Sequence, residues 1–403
     1  MANSNLTAVG ITREAARILH NKSALLQTVN RQYNDRFSSA GATPGDQIDI
    51  RLPHQFEVRS GSVMNVKDNA EKKVTFQVAQ QRGVDMNFGA KELALEIDDF
   101  SQRFLIPAMS RLAAEIDFLG FTEMYRNVYN QVGTPGSTPA TAKVILDAGA
   151  KMDDFAAPMD DQRFLAVNPE ANAATVDALK GLFQESNSIA SQYRMGKMGR
   201  ALGFDWTKTQ NINRHTTGAF AGSTLVDEPG GVTEGDSVID IDAFTDAAPT
   251  VKKGDTFTIA GVNEVNPETK RDTGNLQRFV VTADATGSTN QILGVAVSPA
   301  FITTGAYQTV TALPSDGAVV SFSGTASTAY PVNMAYHKEA LTFATVDLEM
   351  PTNANFSARQ VMDGVSMRIW KGDDITNDKF PCRIDVLFGW KLVRPELACR
   401  VIG

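Results

Sequence analysis

At 403 residues the chain is too long for one ordinary core, so two or three lobes are expected. Its 42% hydrophobic and 21% charged residues are those of a globular protein and exclude wholesale disorder. A net charge of -8 excludes the basic balance of proteins that wrap nucleic acid.

Residues 12–36 are expected to be helical, because Thr12 can cap, Glu14 sits in the first turn, and Ile18, Leu25 and Val29 recur at helical spacing. The charges between them suggest an amphipathic arm rather than a core helix, with an ordinary surface helix as the alternative. Gly41, Pro44 and Gly45 break the pattern. Ile48, Ile50 and Leu52 then alternate with polar residues, and Val74, Phe76 and Val78 do so after a polar stretch around Lys67, Asp68, Glu71, Lys72 and Lys73. This reads as a long β-hairpin over 40–95. A lone hairpin has too little apolar surface to hold itself together, so it must lie against its own body or a neighbouring chain.

The strongest helical signal runs over 99–132. Leu105, Met109, Leu112, Ile116 and Leu119 form one apolar stripe, and Arg111 and Glu115 make an i,i+4 pair. Pro107 starts or kinks this helix, and Gly133, Pro135 and Gly136 end it. Its span would be roughly 40 Å, enough for a spine. Thr138-Pro139 reads as the cap and first turn of a helix to about Met152. A short strand at Phe164–Val167 ends at Asn168-Pro169. A helix over about 172–184 follows, with Val176, Leu179 and Phe183 on one side, and then a glycine-bounded strand over Met198–Trp206.

From 222 to 330 the chain turns rich in Gly, Thr, Ser, Val and Ala. Candidate strands lie at Asp255–Ile259, Phe279–Val281, Ile292-Leu293, Val295–Val297 and Val319–Phe322. The segment reads as a small all-β barrel or sandwich inserted into an α/β body that resumes near 331. The closing seventy or so residues again alternate apolar and polar positions, as half-buried strands do.

Chemistry-bearing patterns are sparse. His20, His54, His215 and His337 lie far apart, none at metal-ligand spacing, and each reads as structural. There is no G-x-S-x-G and no P-loop, and the glycines of Gly196–Gly203 have the wrong spacing for a dinucleotide fingerprint. The pairs Asp153-Asp154, Asp160-Asp161 and Asp373-Asp374 read as solvated turns. Asp227, Glu228, Glu234 and Asp236 read as an exposed loop, with cation binding as the alternative. Cys382 and Cys399 make no disulfide framework and point to a reduced, intracellular setting. They read as small buried hydrophobes, a redox or metal role being the alternative. No secretion signal is expected at Met-Ala-Asn-Ser-Asn, and the sequons at Asn5, Asn21 and Asn355 then read as chance. No apolar run approaches the roughly 20 residues of a membrane span. No catalytic, cofactor-binding or metal-ligating set emerges.

The order of these pieces resembles the tailed-bacteriophage major capsid (coat) proteins, a family to which herpesvirus capsid floors and encapsulins are also similar. The stretches that carry the likeness are Phe164-Leu-Ala-Val-Asn-Pro169, Gly199-Arg-Ala-Leu-Gly-Phe-Asp205, His337-Lys-Glu-Ala-Leu341, Asp363-Gly-Val-Ser-Met-Arg-Ile369 and Val393-Arg-Pro-Glu396. Lys252-Lys-Gly-Asp-Thr-Phe-Thr-Ile-Ala-Gly-Val262 looks like the insertion domain of coat proteins from short-tailed phages. The resemblance implies an α+β capsid fold with five segments: an N-terminal arm (1–39), an extended β-hairpin (40–97), a spine helix with an α/β body (98–221), an inserted β-barrel (222–330) and a return to the body (331–403). It implies a structural protein, not an enzyme, that builds pentamers and hexamers into an icosahedral head. Double-stranded DNA would be enclosed with few direct contacts. A scaffolding protein would guide assembly, a portal protein would occupy one vertex, and the shell would expand on packaging. The chain would sit in the host cytoplasm during assembly and in the virion afterwards.

In that setting the hairpin should lie across a neighbour and the arm should swing about Gly41–Gly45. Leu105, Met109, Leu112 and Ile116 should pack the spine helix, Ile48, Ile50, Val74 and Phe76 should line the hairpin, and Phe257, Ile259 and Val281 should form the insertion core. One departure stands out: relatives carry a longer loop ahead of Lys252 that reaches between capsomers, whereas the stretch at 225–238 is short and acidic. Lys–Asn crosslinking, found in some members, is not carried over, and Lys67, Lys72 and Lys73 read as solvated charges. Two other readings remain: an encapsulin-like cargo shell, against which the insertion argues, and a soluble α/β enzyme with a β accessory domain, against which the missing motifs argue.

Overall fold

The computed structural model describes residues 8–32, 47–59, 61–64, 66, 71–89, 104–179, 199–351, 356–373, 375–377 and 379–403. The expected hinge at Gly41–Gly45, Lys67, Asp68, Phe183 and Met198 lie outside them. In chain order the elements are α1 (Ala8–Lys22), β1 (Gln47–Arg51), β2 (Lys73–Gln77), β3 (Gln80–Gly89), α2 (Ile106–Asn127), β4 (Gln131–Val132), α3 (Ala142–Asp154), β5 (Arg163–Val167) and α4 (Pro169–Leu179). There follow β6 (Arg200–Ala201), β7 (Phe204–Lys208), β8 (Arg214–Thr216), β9 (Gly222–Val226), β10 (Val238–Phe244), β11 (Thr250–Val251), β12 (Thr256–Val265), β13 (Asp272–Val281), β14 (Ala285–Thr286) and β15 (Ile292–Ser298). The chain closes with β16 (Val320–Phe322), β17 (Ala329–His337), β18 (Leu341–Val346), β19 (Phe356–Met362), β20 (Val365–Lys371), β21 (Lys379–Leu392) and β22 (Ala398–Ile402). The fold is mixed α+β. It divides into two compact units, one made of 1–50, 73–120 and 341–393, the other of 51–72, 121–340 and 394–403.

The first unit is organised by β21, whose 14 residues outrun its neighbours. One edge pairs with β3 from Phe388↔Gln80 to Lys379↔Gly89. The other edge pairs first with β20 and then with β18, and β19 extends the sheet beyond β20. Helix α1 packs on β19 and β20 and buries Ile11, Ala15, Ala16, Ile18 and Leu19. It is a docked helix, and it ends at Lys22 rather than near residue 36. The reason is the carboxylate of Asp117 on α2, fully buried, which accepts hydrogen bonds from Ser23 Oγ (2.5 Å) and the backbone N–H of Ala24 (2.8 Å). Those donors are committed to α2, so the chain turns there. Leu25 and Val29 are still buried, and Asn30 bridges to Thr342 in β18.

The apolar stripe of α2 places Leu105, Met109, Leu112 and Ile116 at 2% exposure or less, while Leu119 is half-buried. Pro107 stands in the first turn, where its missing N–H costs nothing. The helix has 22 residues, so it spans about 33 Å rather than 40 Å. Arg111 and Glu115 pair at 3.6 Å. Trp390 Nε1 donates to the Ile116 carbonyl at 3.1 Å, and the helix comes so close here that a Cβ on Gly120 would lie 2.7 Å from Leu25 and 2.9 Å from Trp390. β1 and β2 pair as a two-stranded ribbon, with Ile50 and Phe76 buried and Ile48 and Val74 half-buried.

The second unit holds a sheet in the order β4-β22-β17-β5-β7-β6, with β8 also on β17. β5 and β7 run parallel, as do β4 and β22. Helix α3 packs on β22. It starts three residues later than Thr138-Pro139 suggests, with Thr141 at the cap position and no side-chain cap bond. The Pro139 carbonyl is instead taken by Thr175 Oγ1 of α4 at 3.1 Å, which holds that segment in a packed loop. The expected single strand at 198–206 is in fact the hairpin β6–β7. Leu202 and Gly203 both have positive φ (54° and 83°), the signature of a two-residue primed turn, so the chain reverses where alternation alone reads straight through.

Of the remaining strands of this unit, β11 and β14 pair with each other, and the other six form a closed barrel. Its order is β16-β12-β13-β15-β10-β9, and β9 returns to β16 through a Leu225↔Val319 bridge, Val226 N–H to the Ala318 carbonyl (2.9 Å) and Thr224 Oγ1 to the Val320 carbonyl (2.8 Å). Closure removes the sheet edges that a sandwich would leave. Phe257, Ile259 and Val281 are fully buried in its core, and the Phe257 ring lies 5.8 Å from Phe279 and 5.2 Å from Phe322. Phe257→Asp places an unpaired carboxylate among these rings, a change expected to unfold the barrel. Soluble yield and barrel resistance to limited proteolysis should both collapse; a variant that assembles normally contradicts this packing.

Candidate assembly surface and buried polar seam

The ribbon continues beyond β1 and β2, with Leu52 N–H donating to the Lys72 carbonyl at 3.0 Å. Its tip falls in the second unit. Here Phe56, Val58, Val63, Met64 and Val66 stand 69–99% exposed. Isolated apolar side chains on a surface need no explanation, but five within eleven residues form a patch that calls for a cover. The tip touches its own unit through polar contacts. Lys270 Nζ donates to Gln55 Oε1 at 3.3 Å, and the Lys72 ammonium lies 4.0 Å from the centroid of the Tyr307 ring. Burial pushes both lysines down, and the Lys72 charge further lowers Lys270. Lys72 is thus engaged rather than freely solvated, and Lys73 lies 3.7 Å from Asp49.

Within the second unit a polar seam fastens the barrel to the seven-stranded sheet. Glu264 on β12 is fully buried; it pairs with Lys151 of α3 and accepts from Thr273 Oγ1 (2.8 Å) and Asn275 Nδ2 (3.2 Å). Asp255 is bonded to His215 Nε2 at 2.8 Å and accepts from the backbone N–H groups of Lys252 (2.7 Å) and Gly218 (3.1 Å). Gln131 on β4 accepts from Thr256 Oγ1 at 2.7 Å and donates to Ser323 Oγ at 2.5 Å. Arg400 on β22, 1% exposed, donates from Nη1 to the Gly254 carbonyl at 2.7 Å. Burial pushes Arg400 down to about 9, so it remains a cation at neutral pH. Sequence reasoning missed this seam. Its only local signal is a charge inside an apolar run, Glu264 in Val-Asn-Glu-Val and Arg400 in Ala-Cys-Arg-Val-Ile.

Other singled-out residues make local bonds. His337 meets Asp160 at 3.0 Å and His20 lies 3.4 Å from Asp363, while His54 stands beside Phe56. Asp153 pairs with Arg163 at 2.6 Å. In the acidic loop Glu234 accepts from the Thr303 hydroxyl and N–H and from the Thr304 N–H, which lowers its pKa. Glu228 accepts from Asp240 N–H, and Asp236 from Thr233 N–H. Among the described residues no group of three or more His, Cys, Asp or Glu side chains could hold a metal ion. No helix among them is long and apolar enough to cross a membrane.

The family model described as P22 coat protein, gene protein 5, matches residues 1–403, the whole chain. No curated protein matches. Among solved structures the chain is similar to one from Mycobacterium phage Che8, with 13% identity over 94% of this chain and 89% of that one and a TM-score of 0.48. It is similar to the capsid of Ralstonia phage GP4, with 9% identity over 93% and 87% and a TM-score of 0.49. It is also similar to a virus-like particle from Pyrococcus furiosus, with 10% identity over 97% and 96% and a TM-score of 0.37. At such identities and scores the family assignment rests on the whole-length family match alone.

The two thiols are buried and free, and burial pushes Cys382 up to about 11 and Cys399 up to about 12. Below about pH 8.5 both are neutral in folded and unfolded chains and add no pH dependence. Above that the unfolded chain ionises first, so stability falls as pH rises toward the folded values, by up to about 1.4 kcal/mol per pH unit per thiol. Denaturant midpoints should therefore drop between pH 8 and pH 10.5 by more in the native chain than in the double variant Cys382→Ala, Cys399→Ala. Equal drops contradict the assignment.

Proposed function

The chain belongs to the P22 coat protein family, and from that premise we propose that its β1–β2 ribbon is the element by which one shell subunit grips the next. A coat protein is a structural major capsid protein of a virion, and its product is a shell of many copies. In the proposed assembly those copies form pentamers and hexamers of an icosahedral tailed-phage head. A scaffolding protein guides them in the host cytoplasm, a portal protein takes one vertex, and double-stranded DNA fills the interior.

The observation that carries the reading is the ribbon tip with its five bare apolar side chains. A second copy laid over them would remove that surface from water. Each contact would be modest, but many repeated contacts give a shell that is stable as a whole while each remains reversible during assembly. Charge placement supports an enclosed rather than a wrapped genome. Residues 222–330 hold 13 acidic and five basic residues, so the barrel segment carries -8, the net charge of the entire chain, and the rest is neutral with 33 of each. Phosphates repel such a barrel, which favours placing it on the shell side away from the DNA. The carboxylates of the 225–238 loop are engaged in bonds within the barrel segment itself, which supports a local role over one in bridging capsomers.

Deletion of residues 62–72 tests this. The variant should give an unchanged circular dichroism spectrum, since the described residues of the removed segment are exposed. Particles seen by negative-stain microscopy should be fewer and should dissociate at lower denaturant concentration. Shells of native stability sink the ribbon-grip reading.

A further inference from the structure

We infer that the cleft between α3 and the β12–β13 hairpin binds a small phosphate-type oxyanion, gripped by Arg278. The cleft has a volume of about 580 Å³, and its walls include Gln131, Lys151, Asp154, Thr258, Asn275 and Arg278. Thr258 and Arg278 are register partners on adjacent antiparallel strands, so their side chains stand on the same face of the barrel wall.

Arg278 is the feature without another explanation. A guanidinium carries five N–H donors in a planar fork. Among the described residues this one makes neither a hydrogen bond nor an ion pair, although burial weighs against its charge. The neighbouring cations do not compete for the same partner. Lys151 is taken by Glu264, and Asp147 on the cleft wall is taken by Lys143 at 2.6 Å. Behind the wall, Arg400 leaves Nε and Nη2 buried without partners, and its charge acts on the Cys399 thiol together with those of Arg278 and Lys151. Three cations thus lie near one another, Arg278 half-buried on the cleft wall, and the fully buried anion beside them, Glu264, is already saturated. The remaining acid on the wall is Asp154, whose pKa is raised by burial and by the Glu264 charge.

An oxyanion at the Arg278 fork would meet its free donors in the bidentate geometry that guanidinium prefers, and the Thr258 hydroxyl lies on the same face to donate a further bond. The volume exceeds that of a bare phosphate ion and leaves room for the organic part of a phosphomonoester. A bound ion would tie the barrel hairpin to α3 and so stabilise the subunit.

Thermal unfolding of the purified full chain, followed by tryptophan fluorescence at fixed pH and ionic strength, tests this with inorganic phosphate against chloride. The midpoint is expected to climb by at least about 2 °C between 1 and 100 mM phosphate. Arg278→Gln should lose that increment while unfolding in chloride no lower than the native chain. If that variant does not fold, Arg278→Lys, which keeps the charge without the fork, should show a smaller increment. A midpoint indifferent to phosphate, or an equal rise in native and variant chains from general salting-out, overturns the site. A parallel titration with adenosine monophosphate separates the sources. A rise at lower concentration than phosphate assigns the cleft to a phosphomonoester, and a rise with phosphate alone assigns it to the free ion.

Discussion

Apolar surface left in water is the constraint on which the functional reading turns. Fully covering a side chain such as Val, Met or Phe contributes about 1.5–3 kcal/mol. The ribbon tip leaves five such groups bare, a potential gain on the order of 10 kcal/mol that the isolated chain does not collect. A two-stranded ribbon has no second layer of its own to collect it with. The base of the ribbon behaves differently: Ile50 and Phe76 are buried, and β2 packs against β21. One end is thus anchored by apolar packing and the other offers an apolar face, a geometry suited to reaching another molecule.

The barrel meets a different constraint. Its core is closed, and against the body it adds one small apolar cluster, Val280 with Tyr129 and Phe155. Polar groups also fasten it there, through Lys151–Glu264, His215–Asp255, Gln131–Thr256 and Arg400 to the Gly254 carbonyl. Buried charges of this kind add little net stability, because desolvation offsets attraction, but losing one partner strands the other at a cost of several kcal/mol. A seam so built tolerates few alternative placements of barrel against sheet. In a subunit that must present the same face in every copy, that specificity matters more than the energy.

Where a signal was local, it was legible in the residues alone. The α2 stripe, the alternation in β1 and β2, the apolar strand at Phe164–Val167 and the β-rich character of 222–330 all follow from side-chain period. What escaped was set by partners distant in sequence. The end of α1 depends on Asp117, 94 residues beyond Ser23. The start of α3 depends on Thr175 claiming the Pro139 carbonyl. The reversal at Leu202-Gly203 needs positive φ at a leucine, which no propensity favours. The seam joins residues up to 192 positions apart, and no spacing rule finds it. The choice between barrel and sandwich likewise hung on the few contacts that join 224–226 to 318–320.

Charge distribution links these levels. If the acidic residues were spread evenly, every interface between copies would carry a like-charge cost, and assembly would work against its own field. Here the net charge is confined to the barrel segment, and the remainder, including the ribbon and the closing strands, is balanced. Neutral surfaces can approach one another without a long-range penalty, so short-range apolar contact decides whether they stay together. The Debye length is about 8 Å at physiological ionic strength, so charges held farther apart than that scarcely feel one another. In the proposed assembly, confining the charge to the barrel segment leaves the ribbon tip to supply an attraction between copies that the acidic barrel does not oppose.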